Sequence, residues 1–152
     1  MWIIIISILI DQITKYFACN IETPISVIPK LLSFEYVENR GAVFGIMQGS
    51  NFILAIISLI ICIAIGIYIF KMKKENQKLH IAWYMILAGG LGNLIDRFVR
   101  GYVVDFIATP FIANFNIADS LVVVGVFLLL INEVIESIRN KKNKEEEKWV
   151  LI

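Results

Sequence analysis

Four long apolar stretches alternate with polar segments along the chain, and they predict its main elements. Their approximate ranges are 1–18, 52–70, 79–97 and 116–138, and each is close to the ~20 residues that a helix needs to cross a bilayer. The second stretch is the most uniformly apolar, whereas the other three contain or border on charged side chains. The pattern predicts an all-α membrane protein with four transmembrane helices.

A shorter pattern with a different period follows the first predicted helix. Between residues 32 and 38, Phe34 and Tyr36 alternate with Glu35 and Val37, which is typical of a short strand. The segment 39–45 comes next, and its glycines allow a tight backbone or the close approach of another group. A simple turn into the second helix explains them equally well. The first interhelical loop is therefore expected to contain a strand.

Composition and charge orient these elements. Of the 152 residues 59% are hydrophobic, against a usual share of ~45–50%. Four spans leave no room for a separate soluble unit, so we expect residues 1–152 to form a single polytopic membrane domain. Nine of the 14 Lys and Arg residues lie in blocks 71–78 and 139–148, which the positive-inside rule assigns to the cytoplasm. Both termini are then expected to be cytoplasmic and segment 101–119 extracytoplasmic.

Two polar faces interrupt the apolar helices at the i, i+3, i+4 spacing that places side chains on one side of a helix. They are Asp11, Thr14 and Lys15 on the first helix, and Asn93, Asp96 and Arg97 on the third. Each face could be a local ion pair or could line a polar cavity. A charged residue at mid-membrane costs ~2.5–3.5 kcal/mol, so we expect both faces to point into the protein. Gly89, Gly90 and Gly92 predict close helix packing beside the second face.

Segment 101–119 carries two carboxylates, Asp105 and Asp119, among mostly apolar residues. Pro110 lies between them, so a loop or extended segment could fold Asp105 against the helix start that carries Asp119. Asn116 is a good N-cap for the fourth helix, and Asp119 suits its first turn, where free amides favour a carboxylate. Capping is thus a purely structural alternative for Asp119.

The available side chains narrow the possible chemistry. The single histidine and the two cysteines form no pattern typical of a metal site or of a Ser-His or Cys-His nucleophile. Two adjacent aspartates share a proton, because both cannot easily ionise. The charged member can then take a proton from water while the protonated one polarises a carbonyl, as in aspartic peptidases. We expect no metal, no cofactor and no nucleic-acid partner.

Five ordered blocks give the chain a resemblance to a known family. They are Asp11-Gln12-Ile13-Thr14-Lys15, 39–45, 89–97, Val104-Asp105-Phe106 and 115–120. In their order and spacing they resemble those of lipoprotein signal peptidase, or signal peptidase II, an intramembrane aspartic endopeptidase of the bacterial cytoplasmic membrane. Val43 departs from this pattern, since the family usually has Ala there.

The resemblance implies a function and a set of roles. Such an enzyme removes signal peptides from prolipoproteins, cutting on the amino side of a diacylglyceryl-modified cysteine, and is inhibited by globomycin-type cyclic peptides. Its partners would be these signal peptides and membrane lipids, and a small extracytoplasmic β-cradle would form from the first outer loop. The implied catalytic pair is Asp105 and Asp119. The residues implied to position the pair and substrate or to shape the pocket are Asp11, Lys15, Asn39, Gly41, Asn93, Arg97 and Asn116.

Two other classes of membrane protein remain as alternatives. A small transporter or proton-conducting protein also carries intramembrane charges, but it predicts polar residues through the full depth of the bundle. The stretch 52–70 offers only Ser58, Cys62 and Tyr68. A structural four-helix partner without activity would leave the clustered Asp and Asn residues unexplained.

Overall fold

The protein combines four helices with a small sheet. The computed structural model describes residues 2–41, 50–75 and 80–150, the last seven of these by their backbone alone. In chain order the elements are α1 (Trp2–Ala18), β1 (Ile25–Ile28), β2 (Leu32–Asn39), α2 (Asn51–Lys74), α3 (Ile81–Val99), β3 (Val103–Ala108) and α4 (Ile117–Val150). Residues 42–45 of the second sequence block, with Val43, and residues 78 and 79 lie outside the described residues.

Each predicted apolar stretch contains a helix, but three helices run further than predicted. α2 continues beyond residue 70 to Lys74, α3 beyond residue 97 to Val99, and α4 beyond residue 138 to Val150. Lys and Glu are good helix formers, so the helical backbone extends past the apolar part of the sequence. Two regions, Asn51–Lys74 and Ile117–Asn143, are long and apolar enough to cross a membrane. Both expose large apolar side chains, such as Phe52 and Phe127, as expected of surfaces that face lipid.

α3 lies at the centre of the fold and contacts α1, α2 and α4. Its glycines allow this close packing. A Cβ at Gly89 would overlap the Ala118 carbonyl, and a Cβ at Gly92 would lie 2.7 Å from Asp11 Oδ2 and 3.1 Å from Ala118 Cβ. The predicted role of the glycines in helix packing is confirmed, and it brings the polar faces of α1 and α3 against the start of α4.

The three strands form an antiparallel sheet in the order β1-β2-β3. The strand predicted at residues 32–38 is confirmed as β2, one residue longer. β1 and β3 were not predicted as strands, because β1 is only four residues long between two prolines and β3 lacks polar alternation. In the β2–β3 register, Val37 lies opposite Asp105 and Asn39 opposite Val103.

β3 is fixed against the helices by its own apolar residues. Val104 and Phe106 are buried with Ala18 at the end of α1, and Phe34 of β2 packs against this cluster. Successive side chains of a strand point to opposite faces, so burial of Val104 and Phe106 on one face sets the direction of Asp105 on the other. The core of the sheet therefore determines where one of the two predicted catalytic carboxylates lies.

Candidate active site

Asp119 and Asn116 form a reciprocal cap at the start of α4. The backbone N–H of Asp119 donates to Asn116 Oδ1 at 2.9 Å, and the backbone N–H of Asn116 donates to Asp119 Oδ2 at 3.2 Å. This arrangement is a capping box, which satisfies two otherwise unpaired amides. The predicted N-cap is confirmed. The same two bonds fix the orientation of the Asp119 carboxylate.

Asp105 of β3 is only 2% exposed, and both of its carboxylate oxygens accept hydrogen bonds. Asn116 Nδ2 donates to Oδ1 at 2.7 Å, and Asn39 Nδ2 donates to Oδ2 at 2.8 Å. Asn39 can reach Asp105 because Val37, two residues earlier on β2, lies directly opposite it, and diagonal neighbours in a sheet are within contact range. The strand pairing thus supplies one donor and the helix start supplies the other.

Asn116 joins the two aspartates through its side-chain amide. Its nitrogen donates to Asp105, and its oxygen accepts from the backbone of Asp119. On the other side, Asn93 Nδ2 of α3 donates to Asp119 Oδ1 at 2.7 Å. The structure therefore brings Asp105, Asp119, Asn116 and Asn93 into one hydrogen-bonded group, although the four residues come from three separate elements.

The electrostatic state of Asp105 reflects its burial and its neighbour. Burial, and after it the negative charge of Asp119, raise the pKa of its carboxyl to about 6. The hydrogen bonds from Asn39 and Asn116 and the positive charge of Lys15 act against this rise in pKa. Burial and a neighbouring carboxylate thus act in the same direction on Asp105.

Lys15 and Asp11 lie beneath this group and are almost completely buried, at 0% and 1% exposure. Lys15 Nζ lies 2.9 Å from Asp11 Oδ2, so the local ion pair expected from their spacing is present. Lys15 also donates to Asn93 Oδ1 at 2.9 Å and pairs with Asp96 Oδ2 at 2.8 Å. The polar faces of α1 and α3 point at each other.

Asp96, Arg100 and Gln12 belong to this buried cluster but were not among the predicted site residues. Asp96 was expected to balance its charge against its neighbour Arg97; instead it pairs with Lys15 and Arg100. Adjacent side chains diverge around a helix, whereas Arg100 lies one turn further on the same face. The i, i+4 spacing from Asp96 to Arg100 was a usable signal. Gln12 belongs to the first sequence block but was given no role, and it donates to Asp96 Oδ1 at 3.2 Å.

Gly41 and Arg97 lie at the edge of the group. The backbone N–H of Gly41 donates to Asn39 Oδ1 at 3.0 Å, which turns the Asn39 amide nitrogen toward Asp105. Arg97 Nη1 donates to the Asn93 carbonyl oxygen at 3.4 Å, and its half-buried guanidinium lies in the field of Asp119 and Asp105. Gly41 thus orients Asn39, which donates to Asp105, and Arg97 supplies positive charge near the two carboxylates.

A separate open groove of about 390 Å³ lies along the sheet and the segment after β3. Its lining includes Lys30, Glu35 and Asn114, and it includes none of the predicted site residues. We therefore assign the candidate site to the aspartate pair rather than to this groove. Among the described residues, no group of three or more His, Cys, Asp or Glu side chains is placed to hold a metal ion.

Comparison with known proteins identifies the family. A model of the family Signal peptidase (SPase) II matches residues 3–135. The chain belongs to the signal peptidase II family. Relatives named lipoprotein signal peptidase include a Clostridium novyi protein, 42% identical over 85% of this chain and 93% of its own length. A Streptococcus pneumoniae protein of the same name is 38% identical over 90% of this chain and 92% of its own.

Solved structures agree with this assignment. A bacterial membrane enzyme determined by the in meso method at 2.3 Å resolution is 35% identical, with a TM-score of 0.79 over 90% of this chain and 87% of that one. A second, at 1.9 Å, is 36% identical with a TM-score of 0.72 over 86% and 89%. With its two long apolar helices, the chain is a membrane protein and a peptidase of the signal peptidase II family, as the five sequence blocks implied.

Proposed function

We propose that the protein is an intramembrane aspartic endopeptidase that removes signal peptides from diacylglyceryl-modified prolipoproteins. The cut falls on the amino side of the lipidated cysteine, and Asp105 and Asp119 are the catalytic residues. Membership of the signal peptidase II family supports the substrate class. The hydrogen-bonded group around the two aspartates supports the mechanism.

One observation carries the mechanism: the side chain of Asn116 connects both carboxylate residues. It donates to Asp105 at 2.7 Å and accepts from the Asp119 backbone at 2.9 Å. A cap alone would require only the contact with Asp119. The bond to a buried carboxylate on a different element indicates that Asn116 also sets the relative position of the pair, which acid–base chemistry needs and helix capping does not.

In the proposed reaction the pair holds one proton. The charged carboxylate takes a proton from a water molecule, and that water attacks the scissile carbonyl while the protonated carboxyl donates to the carbonyl oxygen. When the tetrahedral species collapses, the first carboxyl gives its proton to the leaving amine and the second regains one from the hydroxyl. Because water is the nucleophile, no acyl-enzyme forms. Asn93 and Asn116 hold the carboxylates in position. Arg97, Asn39 and Gly41 shape the pocket and position the substrate backbone.

The proposed membrane arrangement follows from charge and from the site. All four helices cross the bilayer within one domain, with both termini in the cytoplasm and the aspartate pair on the extracytoplasmic side of a bacterial cytoplasmic membrane. α1 and α3 are short or interrupted by charge, but their charged side chains point inward and pair, which removes most of the cost of placing them there. The sheet is the proposed extracytoplasmic β-cradle.

The lipid on the substrate explains why the site belongs at the membrane surface. Each buried CH₂ of an acyl chain stabilises membrane binding by ~0.8 kcal/mol, so a diacylglyceryl-cysteine keeps the neighbouring peptide bond close to the lipid headgroups. The enzyme must reach the bond at that level. We propose membrane lipid as the surrounding partner and globomycin-type cyclic peptides as inhibitors that occupy the same site.

The direct test is cleavage by the purified protein in detergent micelles. A prolipoprotein with the diacylglyceryl modification is compared with the same precursor without it, and the products are identified by mass spectrometry. We expect one cut, immediately before the modified cysteine, and inhibition by globomycin. Equal cleavage of both precursors, or a cut elsewhere, would contradict the proposed specificity.

A further inference from the structure

The ammonium group of Lys15 has no donor left for a substrate. A lysine side chain has three N–H donors, and three oxygen atoms surround Nζ: Asp11 Oδ2 at 2.9 Å, Asp96 Oδ2 at 2.8 Å and Asn93 Oδ1 at 2.9 Å. The whole side chain is buried. Lys15 therefore acts through its protein neighbours.

Both carboxylates that pair with Lys15 also hold a backbone amide next to a catalytic aspartate. Asp11 Oδ1 accepts from the N–H of Ala118 at 2.9 Å, one residue before Asp119. Asp96 Oδ2 accepts from the N–H of Val104 at 3.2 Å, one residue before Asp105. Two equivalent bonds thus attach the start of α4 and the strand β3 to one buried ammonium group.

We propose that Asp11, Lys15 and Asp96 are a positioning unit that sets the separation of the two catalytic aspartates without touching substrate. The proposal rests on the proposed function and deepens it. The third bond of Lys15 strengthens the unit, because its acceptor Asn93 donates directly to Asp119. The one remaining carboxylate oxygen, Asp96 Oδ1, accepts from both Gln12 and Arg100. The cluster is therefore fully hydrogen-bonded, which favours a rigid arrangement.

Lys15 also affects the charge of the pair. Its positive charge acts to lower the pKa of Asp105. The other charged groups that face Asp105 are Asp119 on α4 and Arg97 on α3, and the facing group on β2 is the neutral Asn39. Removal of the Lys15 charge should therefore raise the Asp105 pKa, which a purely structural role would leave unchanged.

The test compares kcat, KM and pH profiles of Lys15→Met with those of Lys74→Met, the same change at an exposed lysine of α2. Because Lys15→Met leaves Asp11 unpaired and could unfold the protein, a second variant combines Lys15→Met with Asp11→Asn. The double variant keeps the cluster neutral and keeps an oxygen for the Ala118 amide. Thermal unfolding of each variant reports folding separately from activity.

We expect both Lys15 variants to lower kcat by ~100-fold with little change in KM, as small misplacements of catalytic groups do. Lys15→Met alone should also shift the alkaline limb of kcat/KM to higher pH, since the double variant removes one charge of each sign. The double variant should recover thermal stability but not kcat. Wild-type kcat in the folded double variant would overturn the positioning role, and so would failure of both variants to fold. Absence of cleavage by wild type and Lys74→Met alike would instead overturn the proposed function, and the positioning role with it.

Discussion

At the scale of single residues, Asn116 performs two tasks that can be separated by substitution. Its oxygen caps α4, and its nitrogen donates to Asp105. Ser is about as good an N-cap as Asn, whereas Ala removes the cap at a cost of ~1 kcal/mol. Neither replacement can donate to Asp105 in the same way, because both side chains are shorter.

We predict that Asn116→Ser unfolds at nearly the wild-type temperature but loses activity by one to two orders of magnitude, a range of ~10–100-fold typical of displaced catalytic groups. Asn116→Ala should show the same loss of activity with a clearly lower unfolding temperature. Thermal unfolding in detergent and steady-state cleavage measure the two effects. Full activity of Asn116→Ser would show that the bond to Asp105 is dispensable.

The pH dependence of cleavage also follows from single residues. The Asp105 carboxyl has a pKa raised to about 6, and the proposed reaction needs the pair singly protonated. As pH rises through that value the active form is lost, so kcat/KM should fall on the alkaline side with an apparent pKa near 6. Since kcat reports the substrate complex, where bound substrate should bury the pair further, its alkaline limb should lie at higher pH. A kcat/KM that keeps rising above pH 7 would contradict this assignment.

At the scale of elements, the helices were predictable and most of the sheet was not. The four helices follow from long apolar runs, and β2 follows from its alternation. β3 has apolar residues on both sides of Asp105 because both of its faces are buried, which removes the period-2 signal. The placement of Asp105 near Asp119 depends on this strand, which the sequence analysis did not predict. Spacing could predict which residues share a helix face, but not the pairing of Lys15 with Asp96 across two helices.

The close packing of α3 predicts that a larger residue at one of its glycines destabilises the protein. Gly92→Ala should lower the unfolding temperature and activity together, because its Cβ would lie 2.7 Å from Asp11 Oδ2, inside the buried charge cluster. Gly66→Ala on α2 is the matched control, since nothing lies within 4 Å of its Cβ. Ala is the better helix former by ~1 kcal/mol, so the control should be at least as stable as wild type. Equal stability of the two variants would contradict the close packing.

At the scale of the whole molecule, the charged residues divide into two populations. The cytoplasmic assignment rests on lysine-rich segments at the end of α2 and in the last part of α4. The acidic and amide side chains of the site collect at the opposite ends of the helices, where α1 and α3 end and α4 begins. The site residues and the lysine-rich segments thus lie at opposite ends of the helices.

The proposed topology predicts the labelling of single cysteines by a membrane-impermeant maleimide, on a background that lacks both native cysteines. Glu22→Cys and Phe111→Cys should react in intact cells. Lys74→Cys and Asn143→Cys should react only after permeabilisation, because both positions lie on the proposed cytoplasmic side of the membrane. An amino-terminal epitope tag should likewise be accessible to antibody only after permeabilisation. Together with the cysteine results, that outcome would show four crossings. Reaction of all four cysteines in intact cells would contradict the arrangement.

The central claim is that Asp105 and Asp119 carry out the hydrolysis as a pair. The most direct measurement is cleavage of a diacylglyceryl-modified prolipoprotein by wild type, Asp105→Asn, Asp119→Asn and the exposed control Glu22→Gln, with folding checked by thermal unfolding. The account predicts cleavage by wild type and Glu22→Gln, and a loss of at least ~1,000-fold in each folded aspartate variant, in line with removal of an essential catalytic group. Near wild-type cleavage by either folded aspartate variant would contradict it.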